Sequence, residues 1–112
     1  MNFLPSLPSQ EYFESLLARP SSDPESFKPL VIIYFTASWC GACKRLDLPA
    51  LVASRPDAEW FVCDVDENQY TPGFCNLKTI PAFQAISHGK AAPLFSNSNN
   101  AAVAAWLAAL PR

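Results

Sequence analysis

The sequence of 112 residues has no tract of basic residues, and its net charge is −2. It therefore carries no electrostatic footprint for nucleic acid. No apolar run approaches the roughly 20 residues that a membrane-spanning helix needs. The N-terminal stretch MNFLPSLPSQEYF lacks a basic start and a continuous apolar core, and has prolines at 5 and 8, so it does not read as a secretory signal. No internal repeat is visible. Histidine occurs once, as His88, in a turn where it reads as solvated. Asp64, Asp66 and Glu67 close a strand as an acidic cluster, but no calcium-loop pattern follows them, and they read as a solvated loop. These absences argue against nucleic-acid, membrane and metal partners. They predict a cytoplasmic protein, in which stable structural disulfides are uncommon and a close cysteine pair is catalytic or metal-binding.

What is present suits one domain spanning residues 1–112, with half of the residues apolar and able to form one core. Residues 1–8 read as a loose or short extended arm. A first helix is expected over 9–18, capped by Ser9, with Tyr12, Phe13, Leu16 and Leu17 on one face. The proline-rich stretch 19–29 is a loop. LVIIYFT, 30–36, is an unbroken β-branched and aromatic run, as expected of a strand buried on both faces. A second helix is expected from Cys40 to Ser54, kinked or broken by Pro49. A second core strand covers 59–65, and a short helical or turn segment follows up to 77. PAFQAIS, 81–87, alternates enough to suit a strand with one face less buried. The turn 88–90 leads into an edge strand, 92–96, that contains Pro93. The final stretch, 99–110, is a charge-free helix whose stripe is Val103, Trp106, Leu107 and Leu110. This order predicts an α/β fold with a mixed sheet.

The chemistry concentrates in SWCGACK, 38–44. Two cysteines three residues apart could be zinc ligands, a structural clip or a working redox pair. Residues three apart in a first helical turn lie about 5–6 Å from each other, and a disulfide wants Cα atoms roughly 4.4–6.8 Å apart. The bond could therefore form and break with little backbone movement. A helix N-terminus at Cys40, followed by Lys44 and Arg45, would favour its thiolate, which is the nucleophilic form. Cys43, one turn deeper, would resolve the mixed disulfide.

The same residues resemble the thioredoxin family. Its signature, tryptophan-cysteine-glycine-proline-cysteine-lysine, falls on Trp39 to Lys44 with Ala42 in place of the proline. TIPAF, 79–83, resembles the family's cis-proline segment, and Gly89 matches its hairpin glycine. The resemblance covers nearly the whole chain. It implies a thioredoxin fold, a central mixed sheet of four to five strands with helices on both faces. It implies a thiol–disulfide oxidoreductase that needs no bound cofactor, because the electrons reside on Cys40 and Cys43. Pro81 would be cis, and Trp39, Gly41, Ala42, Ile80 and Pro81 would form a shallow docking surface. The implied partners are disulfide-containing proteins and a thioredoxin reductase or equivalent donor. A monomer is expected.

Three departures from the family pattern stand out. Ala42 replaces a φ-fixing proline, which suggests a less reducing protein. Tyr34 occupies the place of the family's buried aspartate, six residues before the first cysteine, and Val62 the place of its lysine partner. The charged pair is lost together, as expected if a lone buried charge is costly. Pro49 lies one residue later than the family's helix proline, and the helix is expected to be abbreviated. Cys63 reads as a small core residue and Cys75 as a passive thiol. Competing readings are an oxidase or isomerase of the protein disulfide isomerase type, a zinc module using Cys40, Cys43, Cys63 and Cys75, and a non-catalytic interaction subunit that presents the apolar last helix.

Overall fold

A computed structural model of the protein describes residues 4–7, 9–17, 30–67, 77–87 and 89–110. The expected loop 19–29, most of the segment before residue 77 with Cys75, the side chain of Leu16, and His88 lie outside the described residues. The strands are β1 (Leu30–Thr36), β2 (Glu59–Asp64), β3 (Ala82–Ser87), β4 (Lys90–Ala91) and β5 (Phe95–Ser96). The helices are α1 (Gln10–Leu17), α2 (Leu48–Ala53) and α3 (Asn100–Ala109), with a 3-10 turn at Cys43–Arg45.

The sheet order is β2-β1-β3-β4, with β5 also on β3. β1 runs parallel to β2 and antiparallel to β3, so the sheet is mixed. Every residue of β1 is buried, because strand neighbours cover both edges and helices cover both faces. Alternation sorts its side chains into two core layers. Leu30, Ile32 and Tyr34 join Leu48 and Leu51 of α2 and Val103 and Leu107 of α3. Val31, Ile33 and Phe35 join Phe13 of α1. Ahead of α1, Ser6 forms a parallel bridge with Val62, and the Leu7 N–H donates to the Val62 carbonyl at 2.8 Å. The expected N-terminal arm is thus an extra pairing on the β2 edge. Ser9 caps α1 by accepting from the Tyr12 N–H at 3.1 Å.

Three local expectations are corrected. β3 is buried on both faces, not one. Gln84, the polar residue that suggested an open face, turns its Nε2 to the carbonyls of Ala85 and Ala92. The expected edge strand starts earlier and is split. Ala91 pairs with Ile86, whereas Phe95 pairs with Phe83, so the register slips by one residue around Pro93. A residue without an N–H cannot serve the ladder and is accommodated in such an interruption. In the preceding turn Gly89 has φ 80°, the left-handed conformation that glycine adopts without penalty.

The third correction concerns the bounds of the helix expected over 40–54, whose expected break is present. It is two pieces: the 3-10 turn, which ends at Leu46 with φ −80° and ψ 136°, and the six-residue α2. The break precedes Pro49, which sits in the first turn of α2. In a continuous helix Pro49 would oppose the Arg45 carbonyl, which its ring would crowd and could not hydrogen-bond. In a first turn its missing N–H costs nothing. Asp47 caps the new start, accepting from the Ala50 N–H at 3.4 Å.

Candidate active site

β1 delivers the chain to the site. After Thr36, residues 37–42 turn over the end of the sheet, and the Cys40 N–H donates back to the Ala37 carbonyl at 3.1 Å. Cys40 and Cys43 form a disulfide with Cα atoms 5.3 Å apart. The Cys43 N–H donates to Cys40 Sγ at 3.1 Å. The positive field at Cys40 therefore comes from an individual amide in a three-residue turn, not from the macrodipole of a long helix as the sequence suggested. The two cysteines are almost equally covered, 5% and 6% exposed, so Cys43 is no deeper than Cys40 in the bonded state. Both line an open depression of about 340 Å³ shared with Thr36, Ala37, Ser38, Lys44 and Asp64.

Trp39, next to Cys40 in the chain, is the exposed large hydrophobic residue of the described chain, 66% accessible. Its Nε1–H donates to Asp66 Oδ2 at 2.8 Å. Asp66 is therefore not merely solvated loop: it orients the indole. Gly41 is exposed, and a Cβ there would meet nothing within 4 Å. The Ile80–Pro81 peptide bond is cis. Register places it at the same end of the sheet as the cysteines, since Phe35 pairs with Ala82 and Pro81 comes just before. Ile80 is half-buried and packs against both core layers.

Tyr34 belongs to the core layer that contains Cys40 and Cys43. It is 0% exposed, stacks on Phe83 with centroids 5.1 Å apart, and its hydroxyl has no hydrogen-bond partner among the described residues. Burial pushes its pKa up, and the Thr36 side chain, two residues on along the same strand face, offsets part of that rise without reaching hydrogen-bond geometry. From Phe83 the aromatic contacts continue to Trp106 and on to Phe95, stacked at 5.1 Å. The apolar stripe of α3 thereby faces the core, with Val103 and Leu107 buried and Trp106 and Leu110 partly buried against it. Cys63 is buried at 2% exposure in the layer on the other side of the sheet. It cannot join Cys40 and Cys43 around one metal ion, and no metal-binding cluster occurs among the described residues.

Sequence reasoning missed two residues, one that holds the redox turn and one that ties the far end of α3 to the end of α2. Asn100, the first residue of α3, donates its Nδ2 to the Arg45 carbonyl at 2.9 Å and accepts the Asp47 N–H on Oδ1 at 2.6 Å. Arg55 is buried, donating to the Leu107 and Leu110 carbonyls at 2.6 and 3.0 Å and forming a two-point contact with Asp57. Hydrogen bonding to Asp57, more than its charge, raises the guanidinium pKa against the opposing effect of burial. An arginine isolated between apolar segments was the available signal for Arg55. For Asn100 there was only its place in an asparagine-rich stretch before a helix.

A bonded Cys-x-x-Cys pair at the end of a central parallel strand, on a mixed sheet layered by helices, defines a thiol–disulfide oxidoreductase of thioredoxin fold. The thioredoxin family model matches residues 9–109. The chain is 30% identical to mouse thioredoxin over 93 residues, covering 81% of this chain and 83% of that protein. It is 32% identical to thioredoxin of Ophiophagus hannah over 72 residues, 62% of this chain and 69% of that one. Oxidised mitochondrial thioredoxin 3 from Saccharomyces cerevisiae superposes with TM-score 0.78 at 24% identity, covering 96% of this chain and 95% of the other. Fasciola hepatica thioredoxin gives 0.76 at 25%, covering 94% and 97%. The chain belongs to the thioredoxin family. No helix among the described residues is long and apolar enough to cross a membrane.

Proposed function

We propose that the chain reduces disulfides in protein targets, with Cys40 as nucleophile and Cys43 as resolving thiol. The observation that carries the assignment is the Cys43 N–H donating to Cys40 Sγ at 3.1 Å. A donor aimed at one sulfur favours its anion over its thiol. In the reduced state the Cys40 thiolate attacks one sulfur of the target disulfide and the other leaves as a thiolate that takes up a proton. Cys43, deprotonated, then attacks Cys40 Sγ and expels the second target sulfur. Two electrons pass to the target, and the Cys40–Cys43 bond re-forms. A thioredoxin reductase or an equivalent dithiol donor returns the electrons, and no further cofactor enters.

Trp39, Gly41, Ala42, Ile80 and Pro81 form the docking surface in this reading. Support comes from the exposed indole, the open space over Gly41 and the cis Ile80–Pro81 peptide at the same end of the sheet. Target backbone would pair with Ile80 as an added strand. The chain acts as a single domain over 1–112, as a monomer, in the cytoplasm.

Trapping tests the roles. Cys43→Ser is expected to accumulate mixed disulfides with target proteins through Cys40, and Cys40→Ser to accumulate none. Faster alkylation of Cys43 than of Cys40 in the reduced protein would reverse the assignment.

A further inference from the structure

We propose that Asn100 is a positioning residue for the redox pair, and that its carboxamide sets the reduction potential by fixing the turn that carries Cys43. The inference rests on the reading that Cys40 and Cys43 cycle between dithiol and disulfide. Its basis is the helix break. Pro49 offers no N–H to the Arg45 carbonyl, and the break frees the Asp47 N–H. One carboxamide serves both groups, donating to Arg45 O at 2.9 Å and accepting from Asp47 N at 2.6 Å. Arg45 is the last residue of the 3-10 turn that Cys43 opens. That turn is otherwise held by three backbone bonds of 3.2 Å, from Lys44, Arg45 and Leu46 to Gly41, Ala42 and Cys43. Asn100 thus pins the C-terminal end of the turn, while the disulfide pins its beginning.

α3 is able to act as a fixed anchor. Asn99 caps it by accepting the Ala102 N–H at 2.9 Å. At its far end Arg55, just beyond α2, holds the Leu107 and Leu110 carbonyls. α2 and α3 therefore lie side by side in the same direction and are clipped together at both ends, and only the Asn100 clip touches the redox turn.

The direction of the effect follows from which state can relax. The disulfide holds the turn in one geometry, so the oxidised protein loses the whole Asn100 interaction when it is removed. The dithiol, without that crosslink, recovers part of the loss by loosening. Removal therefore disfavours the disulfide and raises the potential.

The test is a glutathione redox titration of the full chain with Asn100→Ala. The equilibrium constant for forming the Cys40–Cys43 disulfide is expected to fall by about three- to tenfold, the range of one to two modest hydrogen bonds; tenfold is about 30 mV for this two-electron couple. Hydrogen exchange at the Asp47 amide is expected to accelerate more in the reduced variant than in the oxidised one. Arg55→Lys, at the other clip, is expected to lower the unfolding midpoint and leave the potential unchanged. An Asn100→Ala potential equal to or below that of the wild type overturns the proposal, as does an equal shift in Arg55→Lys. A wild-type pair that never equilibrates with glutathione overturns the functional reading and this one with it; a cycling pair with an unmoved potential overturns this one alone.

Discussion

Tyr34 and Val62 are direct partners in the parallel ladder between β1 and β2, and both side chains belong to the core layer that contains the cysteines. Neighbouring strands lie about 4.8 Å apart, so a charge introduced at one position would face the other. The resemblance places a buried carboxylate and its lysine at these two positions; here they hold a phenol and an isopropyl group. The substitution is coherent as a pair, because neither side chain leaves an unmatched charge in the core.

Tyr34→Phe removes a buried hydroxyl that has no partner among the described residues. An unsatisfied buried polar group costs about 1–3 kcal/mol, and the small void left behind takes back part of the gain. A net stabilisation of about 1 kcal/mol is expected in denaturant unfolding, with little change in the rate of disulfide reduction. A pH signature accompanies it. The folded pKa of Tyr34 is raised, so the folded state holds the proton more tightly than the unfolded chain, whose tyrosines titrate near about 10. Its contribution is constant below that value and is lost as pH rises above it. The wild type should lose stability above about pH 10 more steeply than Tyr34→Phe.

Tyr34→Asp should destabilise by about 3–5 kcal/mol, the cost of an uncompensated buried charge. Adding Val62→Lys in the same chain should recover at least about 1 kcal/mol of coupling. A double-mutant cycle by chemical denaturation measures this directly. Zero coupling would show that the two positions do not face each other.

Much of this was legible in the sequence because the signals were local. The run 30–36 announced a doubly buried strand, and the spacing of Cys40 and Cys43 announced a pair able to bond. Ile80-Pro81 was recognisable from its similarity to a known segment. What stayed hidden depends on distant partners. Pro49 signalled a break, but its site was set by Asp47 capping α2 and by Asn100 satisfying Arg45 and Asp47 from more than fifty positions away. Asp66 looked like solvated acid until the indole of Trp39 was found on it. Gln84 looked like an exposed face because its carbonyl partners were unknown. Hydrogen bonds across long sequence separations leave no periodicity to read.

Ala42 has φ −64°, which proline matches at about −65°, and its N–H makes no hydrogen bond among the described residues. Ala42→Pro therefore fits the native turn and chiefly restricts the dithiol. An entropic gain of about 0.4–1 kcal/mol corresponds to a fall in reduction potential of about 10–20 mV. A glutathione titration showing a rise would contradict the view that turn stiffness tunes this pair.

The most direct test of the central claim is reduction of insulin disulfides with a thioredoxin reductase and its nicotinamide donor supplying electrons. The account predicts sustained turnover that depends on the chain, is abolished in Cys40→Ser, and stalls after a stoichiometric mixed disulfide in Cys43→Ser. Undiminished turnover in Cys40→Ser, or none in the wild type while its Cys40–Cys43 bond is demonstrably reduced, would contradict it.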